Sequence, residues 1–359
     1  MPLKLQDLSP ADARLCLGVE RFITVELGLA LANRRVLLAV SGGADSLALL
    51  HILHVLRPRL LAELHVMAAD HALRPHSGLE AEGVQNLCAG LDIACTVRRL
   101  AVAEHAAAHG LGLEEAGRAL RYAALEEERE RLGAAWIVTG HQLEDLGEDV
   151  LLRLLRGTGW PGLGGMPAVD GRRHLLRPLL LTPARKLRDL LRRCGIDWFE
   201  DQSNTDRNFR RNRVRHALWP VLLEESPRLA EHIAYLWRIA RADGAYWDAR
   251  LASLLPEETS AVPGGEAVDK VALPGLVIKL EGAALKRLEQ AARLRLYMRA
   301  IARLRREHGS GQGRAATLFA LDAAWSTGRG NTRFQFPGGI RAEVRQGGVR
   351  FFAALPENL

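Results

Sequence analysis

The stretch Leu37–Leu50, LLAVSGGADSLALL, sets two glycines and two serines between two apolar runs. The first run closes RVLLAV (35–40), short enough for a buried strand; the second opens SLALLHILHVL (46–56), which has helical length. A strand that turns into a helix on glycines makes a place for an anion. Residues without a Cβ let backbone N–H groups approach phosphate, which suits Gly42 and Gly43. The helix beginning near Ser46 turns its positive end to the same point. Ser41 and Ser46 add hydroxyl donors. Asp45 is discordant, because a carboxylate repels phosphate. It suits Mg²⁺ bridging phosphate oxygens, or a part in the reaction itself. The plainer alternative is a tight turn with an Asp or Ser helix cap. The GxxxxGK[ST] lysine is missing, so this is not a Walker loop.

On either side of this turn, strand-like and helix-like segments alternate. A helical pattern spans roughly Pro10–Asn33. Further strands are expected at ELHVMAAD (63–70), IACTVRRL (93–100) and AWIVTGH (135–141). Helices are expected near Glu80–Leu91, over 114–132 and over Leu143–Leu155. The alternation predicts an α/β fold, a Rossmann-like parallel sheet with helices on both faces. Ligands of such sheets gather beyond the carboxyl ends of the strands. After Arg156 the pattern changes to a glycine-rich loop, GTGWPGLGGMP, a short strand, a basic helix and a helix over about Pro227–Leu254. The stretch 256–275 lacks helical period and reads as a linker or surface excursion. A helical block to about Arg306, a short helix and strand-like segments with hairpin glycines follow. Two domains are expected, 1–222 catalytic and 223–359 mainly helical, ending in short strands.

With 359 residues, 48% of them hydrophobic, the chain can bury sizeable cores. Its net charge of +7 favours an anionic partner, and arginines crowd Arg172–Arg215. The four cysteines form no CxxC pair and read as reduced, partly buried thiols. The N-terminus lacks the apolar core of a signal peptide, and no apolar run reaches the roughly 18 residues that span a bilayer. A soluble cytoplasmic protein with no membrane partner is expected.

Four further stretches carry chemistry. In ADHALRPHS (69–77), Asp70, His71 and Arg74 would share the crevice of the glycine turn; no third metal ligand accompanies His71 and His76, so Arg74 as a phosphate or RNA contact reads better than zinc. The i, i+4 pair His105 and His109 lacks the HExxH glutamate and reads as an exposed helix face. In EEAGRALRYAAL (114–125), Arg118 projects together with Arg121 or Tyr122 and offers a planar fork to phosphate, unless it only salt-bridges Glu114 and Glu115. In TGHQLEDLGED (139–149), His141, Glu144, Asp145 and Glu148 crowd a helix start, where they suit capping, Mg²⁺ binding or proton removal from an amine. WFEDQSNTDRNFRRNRVRHALWP (198–220) joins an acidic turn to a basic segment able to grip RNA backbone.

The strand followed by SGGADS resembles the PP-loop of N-type ATP pyrophosphatases, which bind ATP, adenylate a carbonyl oxygen and release pyrophosphate. In order, SGGADS, DHALR, EEAGRALRY, the His141–Glu148 block, RGTGWPGLGGM and EDQSN…RNRVRH resemble the tRNA(Ile)-lysidine synthetase family from about residue 34 to 222. The resemblance implies ATP and Mg²⁺, L-lysine, a tRNA(Ile) with a CAU anticodon, and a homodimer. It implies a catalytic set of Asp45, Arg118 and Asp145. ATP would be held by Ser41, Gly42, Gly43, Ala44, Asp45, Ser46, Asp70, His71, Arg118 and His141, with Asp45 meeting Mg²⁺ through the phosphates. Arg74, Arg207, Arg211, Asn212, Arg213 and Arg215 would contact tRNA. Many members show two adjacent aspartates, a glutamine and a later Glu-Thr pair where this chain has Glu144, Asp145, Leu146, Glu148 and Asp149. Alternative readings are another PP-loop tRNA-modifying enzyme, such as a thiolase, or a catalytically idle tRNA-binding protein.

Overall fold

The computed structural model describes residues 4–70, 77–200, 209–254, 259–260, 276–304 and 315–353. Six strands form the first sheet: β1 (Arg35–Val40), β2 (Glu63–Asp70), β3 (Ala94–Arg99), β4 (Trp136–Thr139), β5 (Val169–Asp170) and β6 (Leu175–Leu176). Their order is β3-β2-β1-β4-β6-β5, parallel throughout except for β5, which runs antiparallel at the edge. The apolar run RVLLAV becomes the sheet's centre because β1 has a neighbour on both sides. Val40 pairs with Ala68 of β2, and Ala39 with both Met67 of β2 and Thr139 of β4.

Helices cover both faces, as the alternation predicts. They are α1 (Pro10–Arg21), α2 (Ala44–Leu60), α3 (Ser77–Gly90), α4 (Val102–His109), α5 (Leu113–Leu132), α6 (Leu143–Leu155) and α7 (Ala184–Arg193). The two-residue period of β1 sorts its side chains. Val36, Leu38 and Val40 join one core with Leu49, Ile52 and Leu187, while Leu37 joins Met67, Leu125 and Ile137 in another. Cys16 and Cys88 are buried in the first core, and Cys95 and Cys194 pack against it. Burial pushes the Cys16 thiol up to about 12, so it is inert rather than nucleophilic.

The sequence overextends two elements. The first helix does not reach Asn33: α1 passes into a π-helical turn (Phe22–Glu26), and the left-handed Gly28, φ +68°, ends it. The fourth strand stops at Thr139, because Gly140 lies against the Asp45 backbone. A Cβ there would sit 2.9 Å from the Asp45 carbonyl oxygen.

After α7 come α8 (Arg210–Arg213), a π-helical turn (Val214–Leu218), α9 (Trp219–Glu225), α10 (Leu229–Leu251), α11 (Gly282–Lys286), α12 (Gln290–Leu304) and α13 (Ala315–Ser326). Five strands, β7 (Thr259–Ser260), β8 (Leu276–Glu281), β9 (Thr332–Phe336), β10 (Ile340–Arg345) and β11 (Gly348–Ala353), form an antiparallel sheet of order β7-β8-β11-β10-β9. β8 falls where a helical block was expected. Its alternation, with Ile278 and Leu280 inward and Lys279 outward, fits a half-buried strand paired to β11. Tyr297, Ile301 and Phe351 lie in the core beneath.

By contacts the chain divides into Met1–Glu148 with Met166–Glu231, and Asp149–Gly165 with His232–Leu359, rather than by one cut after residue 222. The glycine-rich loop joins the second unit through specific bonds. Trp160 Nε1 donates to Asp243 at 2.7 Å, and Arg295 donates to the Trp160 carbonyl at 2.8 Å.

Candidate active site

Beyond the carboxyl end of β1 the chain turns on Gly42, whose φ of +80° no residue with a side chain adopts easily. Gly43 is the N-cap of α2. The Ser41 N–H donates to Ser46 Oγ at 3.2 Å, and Ser46 Oγ donates to the Gly43 carbonyl at 2.9 Å. Ser46 therefore braces the loop from inside, being only 8% exposed. Asp45 lies in the first turn of α2, where the helix favours negative charge. Its Oδ1 is nevertheless buried without a hydrogen-bond partner. Burial first, then repulsion from Asp145 and Glu144, pushes the carboxyl up to about 6 despite Arg188 and Arg215. An anionic loop residue held in this state has an unmet demand for a cation.

The acidic residues of α6 answer a different demand. Arg211 places Nη2 2.7 Å from Asp145 Oδ1 and Nε 2.7 Å from Glu148 Oε2. Arg215 places Nη2 3.1 Å from Asp145 Oδ1 and Nε 2.5 Å from Glu148 Oε1. Four residues apart across α8 and the π-helical turn, the two forks project together onto two carboxylates three apart on α6. Asp145 also accepts the Gln142 N–H at 3.1 Å. Desolvation still outweighs these contacts, so the Asp145 carboxyl is raised; Arg211 is its main relief. Glu144 turns away from the pair and accepts the Ala184 N–H at 2.9 Å, capping α7. Leu146 is fully buried.

A cluster of cations surrounds His141. Its Nδ1 lies 2.8 Å from Thr139 Oγ1. Burial, then the positive charges of Arg177, Arg211, Arg118 and Arg121, hold the ring well below its ordinary pKa, hence neutral. The Arg118 guanidinium lies 5.2 Å from the centre of the Tyr122 ring, and Arg121 5.7 Å from it. Arg177 is buried, donates to the Pro167 carbonyl at 2.7 Å, and keeps a buried Nε without a partner. The cluster suits a polyanion beside the glycine turn. Among the described residues no group of three or more His, Cys, Asp or Glu is placed to hold a metal by itself.

Comparison with known proteins agrees with this geometry. The profile of the PP-loop domain family matches residues 19–222. A tRNA(Ile)-lysidine synthase from Nitratidesulfovibrio vulgaris is 44% identical over 335 residues, covering 92% of this chain and 95% of that protein. The chain belongs to the tRNA(Ile)-lysidine synthase family. A tRNA(Ile)-lysidine synthase from Symbiobacterium thermophilum is 33% identical over 343 residues, covering 94% of this chain and 69% of that one. Among solved structures, a U34-tRNA thiolase from Methanococcus maripaludis with its [4Fe-4S] cluster has a TM-score of 0.54 at 13% identity. It covers 73% of this chain and 86% of that one, a likeness of fold alone.

In this lysidine synthase family member, Ser41–Ser46, Arg118, His141 and Asp145 converge on one end of the first sheet. Asp70, two residues beyond the strand partner of Val40, ends β2 at the same edge. His71, Arg74 and Arg207 lie outside the described residues. Of the segment read from sequence as RNA surface, Arg211 and Arg215 have their forks on Asp145 and Glu148, and Asn212 is buried. Within this basic segment the buried carboxylates of α6 draw in one arginine from each of two successive turns. Arg213 is exposed.

Sequence reasoning passed over Arg177, Arg188, Gly147 and Trp219. Trp219 packs so closely on α6 that a Cβ at Gly147 would collide with its indole. That contact seats the segment bearing Arg211 and Arg215 against the helix bearing Asp145 and Glu148. The visible signal is a glycine inside an otherwise strong helical pattern.

Proposed function

We propose that the protein ligates L-lysine to C2 of the wobble cytidine, position 34, in the CAU anticodon of tRNA(Ile). The C2 carbonyl oxygen attacks the α-phosphorus of ATP and pyrophosphate leaves. The lysine ε-amine then attacks C2, loses a proton, and the oxygen departs with AMP. The product reads AUA instead of AUG, and the tRNA changes identity from methionine to isoleucine. The chain is thus a carbon–nitrogen ligase that uses ATP, and its tRNA substrate puts it in the cytoplasm. No described helix is long and apolar enough to cross a membrane.

The observation that carries the mechanism is the uncompensated Asp45 carboxylate at the glycine turn. The buried Oδ1 of Asp45 fits a Mg²⁺ ion, which Asp45 would help to hold beside the phosphates of ATP. When bound, the ion would neutralise phosphate charge as pyrophosphate leaves. Gly42, Gly43, Ala44 and Ser46 hold the phosphates with N–H donors, Ser41 adds its hydroxyl, and Arg118 stabilises charge at the transferring phosphorus. The neutral His141 and Asp70 line the nucleotide at the strand ends. Asp145, raised by burial, suits proton removal from the incoming amine. Arg213 contacts tRNA backbone, and the assembly is a homodimer.

The test incubates the protein with ATP, labelled lysine and tRNA transcripts. Label on isoleucine tRNA alone, with AMP released in equal amount, is the expected result. Label on methionine tRNA, or none on either, would overturn the reading.

A further inference from the structure

After α7 the chain returns to the glycine turn before entering the basic segment. The Phe199 N–H donates to the Gly42 carbonyl at 3.0 Å. The Phe199 ring lies on two glycines: a Cβ at Gly42 would be 3.1 Å from its Cδ2, and a Cβ at Gly83 3.4 Å from its Cε2. The ring is 46% exposed, so it contributes less to the core than a buried phenylalanine would. Yet a main-chain hydrogen bond and two residues without side chains accommodate it.

The consequence lies in the Gly42–Gly43 peptide. A trans peptide is planar and points its C=O and N–H in opposite directions. A bond that fixes the Gly42 carbonyl therefore also fixes the Gly43 N–H, one of the donors of the anion-binding loop. Two glycines in succession leave this peptide free to rotate unless something outside the loop holds it. Within the loop, Ser46 accepts from Ser41 and donates to the Gly43 carbonyl, so neither bond restrains the Gly42 carbonyl.

We propose that Phe199 is a positioning residue that locks the Gly42–Gly43 peptide, presenting the Gly43 N–H to the phosphates of ATP. Its main chain supplies the bond, and its ring, seated on Gly42 and Gly83, keeps that bond in register. The proposal rests on reading the loop as the ATP site.

ATP affinity and steady-state ligation kinetics of the full chain test it. Phe199→Ala keeps the N–H but loses the seat, and is expected to raise the Kd and KM for ATP about tenfold while kcat changes less than about threefold. Phe199→Leu restores most of the affinity. Gly83→Val pushes the ring away without touching the loop and reproduces the Phe199→Ala phenotype. The double variant is no worse than Phe199→Ala alone, because both changes break one contact. An unchanged ATP affinity in Phe199→Ala, or multiplying effects of the two variants, would overturn the proposal. Should Phe199→Ala fail to fold, Gly83→Val and Phe199→Leu carry the same comparison. Wild-type protein that binds no ATP overturns the underlying site assignment as well, a result separate from normal wild-type binding with no effect of the variants.

Discussion

Two sets of carboxylates in the first unit are withdrawn from water, wholly or in part, and their electrostatics are opposite. Glu128 on α5 is fully buried, yet its carboxyl is pulled down to about 2 by the Arg131 fork, the Thr96 hydroxyl and Arg98, with desolvation opposing. Arg131 donates at 2.6 and 2.9 Å, and Thr96 Oγ1 at 2.7 Å. Asp45 and Asp145 are raised, because burial and the repulsion of neighbouring carboxylates outweigh the arginines beside them. Evenly satisfied charge stabilises a fold. Charge whose desolvation outweighs its partners is kept at a cost to the fold, for use by something that arrives later.

The largest expected effect breaks that comparison at Asp45. Asp45→Asn should cut AMP formation by roughly 10³-fold while tRNA binding stays within about twofold. Because the folded carboxyl is raised from 3.8 to about 6, the native state binds a proton more tightly than the unfolded chain. Its contribution to stability therefore falls as pH rises between those values, and ionised Asp45 destabilises the fold above them. Asp45→Asn should accordingly gain about 1–2 kcal/mol at pH 7 in denaturant unfolding. A variant both dead and less stable would contradict this account. In the wild type without nucleotide, the same titration predicts weaker metal-dependent ATP binding below about pH 6.

Glu128→Gln is the mirror experiment. It should lose about 2–3 kcal/mol of unfolding free energy, since Arg131, Thr96 and Arg98 lose their anion, and leave kcat of the folded enzyme unchanged. The folded carboxyl is depressed from 4.5 to about 2, so its stabilisation is present above pH 4.5 and is lost as pH falls toward 2. Urea midpoints of wild type and variant should draw together as pH is lowered from 4.5 toward 2.

Much of this frame is legible in the residues, for a physical reason. β1, β2 and α6 were readable to the residue because an apolar strand at the sheet centre and an amphipathic helix carry their period in the chain. The glycine turn was readable because backbone approach demands glycine. What the sequence hides is pairing at a distance. RRNRVRH looks the same whether its arginines meet solvent phosphate or buried carboxylate, and only the approach of α8 to α6 decides. Gly140, Gly147 and Gly83 are likewise silent until the backbone or ring that crosses each one is placed. β8 was misassigned because its partner, β11, lies some seventy positions later in the chain.

Arg211→Lys sharpens the contrast at the α6 pair. A lysine offers one point charge where Arg211 bridges Asp145 and Glu148 with two nitrogens, so the exchange is not conservative. Activity should fall about tenfold, with no change in tRNA affinity beyond about threefold. Arg211 is the chief opponent of desolvation at Asp145. Its loss raises that carboxyl further, and the acid limb of the pH–rate profile moves to higher pH. A profile merely scaled down, without that shift, would assign Arg211 to packing alone.

The smallest expected effect belongs to Arg213, an exposed residue between Arg211 and Arg215. Phosphate contacts release counterions, so tRNA affinity should fall linearly with the logarithm of salt concentration. Arg213→Ala should weaken tRNA binding about three- to fivefold at low salt and make the slope shallower by about one unit, equally for isoleucine and methionine tRNA. Arg215→Lys, whose fork already faces Glu148 and Asp145, should leave that slope unchanged. If both substitutions flattened the slope alike, the division of this helix into a face that grips RNA and a face that binds the protein's own carboxylates would be wrong. If only Arg213 does so, one short basic segment carries two electrostatic roles, separated by single residue positions.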